Sequence, residues 1–251
     1  MNDSATPTVM ITGASGGLGC AVAAELGAAG WQLVLVGRDA DRLRQAHGGQ
    51  GLQIEADCST ADGARLAFAL AAQHGATPTA LAHCVGNVRL GALHRVSVDD
   101  WEQCLRANLH SAFHTLAAFV AALREQALPG AAVLVSSVAA RIGTPNHEAV
   151  AAAKAGVEGL VRAAAASHAG AGIRVNAVAP GLMLTPATAG LVSTEAARQA
   201  AQRQYPLPGL GTPQELAGLM AWLLSPQAAR VTGQVWSLDG GFSTIRPVVK
   251  G

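Results

Sequence analysis

The sequence predicts an α/β fold, a doubly wound parallel sheet of about seven strands with helices on both faces. Three observations carry this reading. Apolar runs of strand length recur along the chain and alternate with longer helical stretches, as crossover helices on a parallel sheet require. The first run opens directly into a glycine-rich turn and an alanine-rich helix. Half of the 251 residues are hydrophobic and 13% are charged, a balance suited to one large core. We therefore expect one domain over 1–251, with 182–210 as a segment that covers a substrate.

The first strand is Val9, Met10 and Ile11 with flanking threonines. An uninterrupted apolar run of this kind suits the middle of a parallel sheet. It leads into Thr12-Gly13-Ala14-Ser15-Gly16-Gly17-Leu18-Gly19 and a helix running to about Ala29. Gly13, Gly17 and Gly19 lack a Cβ, so the backbone there can turn tightly and approach a ligand. The helix presents unpaired N–H groups and the positive end of its dipole, which favour a phosphate. Strand, glycine turn and helix in this order form the context of a dinucleotide-binding motif.

The second strand, Trp31–Val36, ends at Gly37-Arg38-Asp39, and a short helix follows through Arg44. The tip of this strand reads the adenosine ribose in such folds. An acid there favours a free 2′-hydroxyl, whereas an arginine accommodates a 2′-phosphate. Gly37 followed by Arg38 predicts NADP in preference to NAD, although Asp39 complicates the local charge.

A third strand, Leu52–Ala56, ends at Asp57-Cys58, and Ser59 or Thr60 caps a helix to about His74. A fourth, Ala80–Val85, ends at Gly86. Ser97-Val98-Asp99-Asp100 resembles a capping box and starts a long helix to about Gln126. Asn108 falls inside that helix, where asparagine is a poor choice, so its placement hints at a special role. A fifth strand covers Ala132–Ser136, a long helix Glu148–His168, and a sixth strand Ile173–Val178, before Pro180-Gly181. The stretch Leu182–Thr194 is irregular, and a helix is expected over Glu195–Gln204. Thr212-Pro213-Gln214-Glu215 is a helix start with N-cap, first-turn proline and capping glutamate. That helix ends near Ser225-Pro226, and Gln234–Leu238 is the last strand.

A net charge of +1 offers no electrostatic case for nucleic acid or anionic lipid. Met1–Thr8 reads as a short polar tail, not a signal peptide, and no stretch is long and apolar enough to span a membrane. Cys20, Cys58, Cys84 and Cys104 have no CxxC spacing, which fits reduced thiols and a cytoplasmic setting. His110 and His114 have i, i+4 spacing but no third ligand, so packing explains them better than a metal. Ser136-Ser137 lacks a nucleophile-elbow context, and Ser137 reads instead as a hydrogen-bond donor to a substrate oxygen.

The assembled motifs resemble the short-chain dehydrogenase/reductases, a family with a Rossmann-type fold. The matches are Thr12-Gly13-xxx-Gly17-x-Gly19, Asp57, Asn108, Ser137, Lys154, Pro180-Gly181-xxx-Thr185, and Thr232-Gly233-Gln234 with Asp239-Gly240-Gly241. The resemblance implies a nicotinamide cofactor held by the loop residues Gly13, Ser15, Gly17, Leu18 and Gly19. It further implies contacts from Arg38, Asp57, Cys58 and Gly86, with Asp57 at the adenine. Pro180, Gly181 and Thr185 would follow, with Thr185 at the carboxamide and Lys154 at the nicotinamide ribose. It also implies a homotetramer.

Two positions depart from the family pattern. His83-Cys84-Val85-Gly86 stands where the family usually has Asn-Asn-Ala-Gly. More seriously, the family's catalytic tyrosine falls four residues before Lys154, at Val150. Valine can neither give nor take a proton, and loss of a general acid costs ~10²–10⁴-fold in rate. His147, one helical turn before the vacated position, is the provisional replacement acid.

The leading expectation is an NADP-dependent oxidoreductase acting on a carbonyl or hydroxyl group. Ser137 would orient the oxygen, Lys154 and Asn108 would hold the cofactor and a water chain, and His147 would donate the proton. Val88, Leu90, Ile142, Val150 and Met183 suggest an apolar substrate. Two other readings use the same pocket: a nucleotide-binding sensor or scaffold without redox activity, and a non-redox isomerase or lyase.

Overall fold

The computed structural model describes residues 6–246, so the first five residues of the polar tail lie outside it. Seven strands form one parallel sheet: β1 (Thr8–Thr12), β2 (Gln32–Gly37), β3 (Leu52–Glu55), β4 (Ala80–His83), β5 (Gly130–Val135), β6 (Ile173–Pro180) and β7 (Val235–Leu238). Their order across the sheet is β3-β2-β1-β4-β5-β6-β7. Strand order reverses between β1 and β4, which pair in parallel from Val9 with Ala80 to Thr12 with His83. Helices cross from either side of this point, so a crevice opens at the strands' carboxyl ends.

Helices cover both faces. Helices α1 (Gly17–Ala28) and α2 (Ala40–His47) follow β1 and β2, and α3 (Ala61–Gln73) follows β3. Later come α4 (Val98–Leu105), α5 (Ser111–Glu125), α6 (Glu148–His168), α7 (Glu195–Gln202) and α8 (Pro213–Leu224). Leu116, Phe119, Val157 and Val161 of α5 and α6 pack over Met10, Leu81 and Leu134 on one face. Val22, Leu26, Leu216 and Met220 of α1 and α8 pack over Val9, Ile11 and Val133 on the other. The strands are thus buried on both sides, which is why they read as unbroken apolar runs. No helix among the described residues is long and apolar enough to cross a membrane.

The expected helix over Ser97–Gln126 is interrupted. Between α4 and α5, Arg106–His110 winds as one π-helical turn, and the Ser111 N–H reaches the Arg106 carbonyl. The cause is Asn108. Its amide donates to the Cys104 carbonyl at 3.0 Å, the acceptor that its own backbone N–H would use in an α-helix. At the helix start, Ser97 accepts from the Asp100 N–H, but the Asp100 carboxylate accepts from the Ser97 hydroxyl at 2.8 Å instead of from the Ser97 backbone N–H. The full capping box expected at Thr212 and Glu215 is present.

Candidate active site

The glycine turn is built by close approach. Gly13 has φ +70°, and a Cβ there would lie 2.9 Å from the Cys84 carbonyl carbon. A Cβ on Gly19 would lie 2.3 Å from the Gly13 oxygen. Gly19 therefore seats α1 against the turn, and Leu18 packs in part against the core on the α1 and α8 side. Gly17 faces across to Thr185 and Pro186, with its would-be Cβ 3.4 Å from the Thr185 Cβ. The glycine motif and the Pro180-Gly181-xxx-Thr185 motif meet there.

A cleft of about 810 Å³ opens beside this turn. Gly13 and Ser15 line it with Arg38, Asp57, Cys58 and Gly86 from the ends of β2, β3 and β4. Cys58 contributes backbone only, since its side chain is buried in the core, where burial pushes the thiol up to about 11. Arg42 and Arg106 also line the cleft, as does Arg89, which is held by Asp100 and Gln103. Asp39 caps α2, accepting from the Arg42 N–H at 3.0 Å. Its carboxylate is thus engaged beside the exposed Arg38. Another cleft, of about 940 Å³, lies near the amino ends of β1 and β2, lined by Thr8, Gln32 and Gly51, and none of the motif residues reaches it.

Two histidines brace this end of the sheet: His47, unread in the sequence, and His83, read there only as a departure from the family pattern. His47 is buried and its Nε2 meets the Ala14 carbonyl at 2.9 Å, tying the last turn of α2 to the glycine turn. That contact lengthens the helix beyond the Arg44 expected. His83 is also buried. The Ser111 hydroxyl donates to the Ala107 carbonyl at 2.7 Å, so it accepts from His83 Nε2–H at 3.1 Å. His83 Nδ1 is left to accept from the Thr12 hydroxyl at 2.8 Å. Burial, with the Lys154 charge nearby, pushes this imidazole down to about 3. It is a neutral rivet joining β1, β4 and the π-helical turn.

The remaining motif residues converge at the ends of β4 and β5. Lys154 is buried in α6, and its Nζ donates to the Val135 carbonyl at 2.8 Å. A Cβ on Gly86 would lie 2.8 Å from Asn108 Oδ1 and 3.4 Å from Lys154 Nζ. Gly86 is therefore what lets Asn108 and Lys154 come together beneath the loop. Asn108 also donates to Asn87 Oδ1 at 2.8 Å. Desolvation pushes the Lys154 ammonium down to about 8. Ser137 follows β5 and accepts from the Ala139 N–H at 3.2 Å. Its neighbour Ser136 donates to buried Glu158 at 3.0 Å. Glu158 accepts from Arg141 at 3.0 Å, and Arg141 reaches the Val235 carbonyl on β7. This network, unread in the sequence, braces the segment carrying Ser137.

His147 is not the first residue of α6 but its N-cap, with φ −104° and ψ 15°. Its Nδ1 lies 2.8 Å from the Pro145 carbonyl, which draws the ring back toward its own loop. The helical spacing that aligned it with Val150 begins only at Glu148. Val150 lines neither of the two clefts described above. It is 4% exposed and packs with Cys104, Ala149 and Trp101. Met183 packs in part on the core, while Val88 and Leu90 are exposed. A Cβ on Gly181 would lie 2.8 Å from Tyr205. Pro180 is buried at the end of β6. Among the described residues no group of three His, Cys, Asp or Glu side chains could hold a metal.

The glycine cradle, closed by backbone at the Cβ positions of Gly13 and Gly19, and the cleft beside it fit a dinucleotide. Comparison with known proteins agrees. Residues 13–243 match the family model described as enoyl-(acyl carrier protein) reductase. The chain is 32% identical over 243 residues to 3beta-hydroxysteroid dehydrogenase 1 of Eggerthella lenta, covering 94% of this chain and 93% of that one. It is 34% identical over 250 residues to cis-4-hydroxycyclohexanecarboxylate dehydrogenase of Sinomonas cyclohexanicum, covering 94% and 96%. A crystal structure of a putative gluconate dehydrogenase from Agrobacterium tumefaciens superposes with a TM-score of 0.90 at 27% identity, covering 96% and 97% of the two chains. With its sheet order, glycine cradle and convergent Asn108 and Lys154, the chain belongs to the short-chain dehydrogenase/reductase family of nicotinamide-dependent enzymes.

Proposed function

We propose that the protein is an NADP-dependent oxidoreductase that interconverts a carbonyl and a hydroxyl group on an apolar small molecule, with proton delivery altered by Val150. The observation that carries the cofactor preference is Arg38. It lines the cleft at the tip of β2 beside Arg42, and the one acid next to it, Asp39, is engaged in capping α2. A guanidinium rewards a 2′-phosphate far more than a hydroxyl.

When bound, the dihydronicotinamide supplies a hydride. Gly13, Ser15 and Gly17 would hold its phosphates, Arg38 the 2′-phosphate, and Asp57 the adenine. Lys154 and Asn108 would secure the nicotinamide ribose, Thr185 the carboxamide, and Ser137 the substrate oxygen. Related dehydrogenases are named for a hydroxysteroid, a hydroxycyclohexanecarboxylate and glucose, which supports a hydroxyl or carbonyl on a ring-bearing substrate here. A cytoplasmic homo-oligomer, tetrameric by family resemblance, completes the proposal.

The reading is tested by following 340 nm absorbance of NADPH with cyclic ketones. Calorimetry of Arg38→Ala adds a second arm. The wild type should bind NADPH more tightly than NADH, and the mutation should shrink that gap by about 1–3 kcal/mol, the scale of a charged hydrogen bond. Equal NADPH affinity in both proteins would remove Arg38 from the site.

A further inference from the structure

We propose that Lys154 itself hands the proton to the substrate's carbonyl oxygen, in the place the family gives to a tyrosine. This rests on the redox reading above. Position 150 offers no proton, because valine has none to give, and Val150 is packed into a cluster with Cys104, Ala149 and Trp101. The Lys154 ammonium has three N–H groups. One donates to the Val135 carbonyl, and Nζ makes no other hydrogen bond among the described residues. Val135 and Ser137 are two residues apart on extended chain, about 7 Å. The ammonium and the hydroxyl that would orient the oxygen therefore belong to one strand end.

The surroundings suit an acid that gives up its proton. The ionisable groups that bear on Nζ are Cys84 at the end of β4 and Cys104 on α4, with His83 on β4. Burial holds both thiols protonated, with Cys84 pushed up to about 12, and the imidazole is neutral. No carboxylate is among these groups, so the ammonium is desolvated without a partner anion, which lowers its pKa toward the working range. Composition points the same way. Of the 17 Lys and Arg residues only Lys154 and Lys250 are lysines, and arginine cannot release a proton near neutral pH. The alternatives are poorly placed. His147 is drawn back to Pro145. Tyr205 accepts from the Leu182 N–H behind Gly181 and stacks on Phe242.

The step balances as follows. The carbonyl carbon accepts a hydride from reduced nicotinamide, and its π pair moves to oxygen. Oxygen takes a proton from Nζ, whose N–H pair remains on nitrogen as the lone pair of a neutral amine. The amine then recovers a proton from solvent.

Three measurements test this on the full chain. Lysine-selective ¹³C NMR should show two resonances, told apart by the loss of one in Lys154→Arg, with that of Lys154 titrating near 8. With NADPH and cyclohexanone or 2,3-butanedione, kcat should fall about tenfold per pH unit above that value, as expected for a required acid. Lys154→Arg keeps the cation, so NADPH affinity measured by fluorescence should stay within about threefold while kcat drops ~100-fold or more. The proposal is overturned by Lys154 titrating above 10, by full turnover in Lys154→Arg, or by an acid limb of the pH profile that His147→Ala removes. A wild type that oxidises NADPH with neither ketone would take down the redox reading and this proposal together. An active wild type with an equally active Lys154→Arg would take down the proposal alone.

Discussion

The buried ammonium has a measurable effect on folding. Replacing Lys154 by methionine keeps the length and apolar stem but removes the charge. In the folded chain the ammonium is held near 8, below its ordinary 10.5. At ~1.36 kcal/mol per pH unit, the charged form therefore carries roughly 3 kcal/mol of desolvation. The sign follows from proton counts. Between pH 8 and 10.5 the unfolded chain keeps the Lys154 proton and the folded chain has released it, so unfolding free energy rises with pH. Below pH 8 both states are protonated and the full cost is present. Methionine cannot donate to the Val135 carbonyl, which costs about 1–3 kcal/mol for a buried acceptor left unmet, so the two proteins should have similar stability at pH 7. The slopes must then differ. From pH 7 to 10 the wild type should gain roughly 2–3 kcal/mol relative to Lys154→Met. Cys58 and Cys84 titrate in the same alkaline range but are present in both proteins, so their contribution largely cancels. Urea denaturation followed by circular dichroism across this range measures the difference. Parallel pH dependences would show that Lys154 is not desolvated, and would refute the reasoning.

Other expectations concern single side chains. Gly19→Ala would place a methyl 2.3 Å from the Gly13 oxygen; the turn must shift, and NADPH binding should be lost by fluorescence titration. Retained affinity would mean that α1 can slide away from the turn at little cost. Val150→Tyr should destabilise the fold by roughly 1–3 kcal/mol through overpacking against Cys104 and Trp101, seen as a lower denaturation midpoint. The folded fraction should gain reduction of activated ketones, because a phenol one turn before Lys154 has its pKa lowered by the ammonium. A folded, NADPH-binding Val150→Tyr protein without that gain would argue for a pocket rebuilt for other chemistry.

What was legible in the sequence was whatever depends on local pattern. The parallel strands were readable because burial on both faces leaves no polar alternation, as in Val133 and Leu134 of β5, both fully buried. The glycine cradle was readable because Gly13 and Gly19 answer a steric demand set within a few residues. What escaped were features made by pairs distant in sequence. His47 and Ala14 are 33 residues apart, and their bond extends α2 past the point where its pattern fades. Glu158 stands in no motif, and only the fold brings Ser136 and Arg141 to it. Asn108 lies between the two cases. Its poor helix propensity was visible, but the π-helical turn arises because its side chain takes the Cys104 carbonyl, and hydrophobic periodicity carries no record of that competition. The vacated tyrosine position follows the same logic. The sequence shows that Val150 cannot move a proton, whereas only the packing shows that its place is closed by Cys104 and Trp101. With that position closed, the buried amine one turn further along α6 meets the end of β5 at Val135, two residues before Ser137.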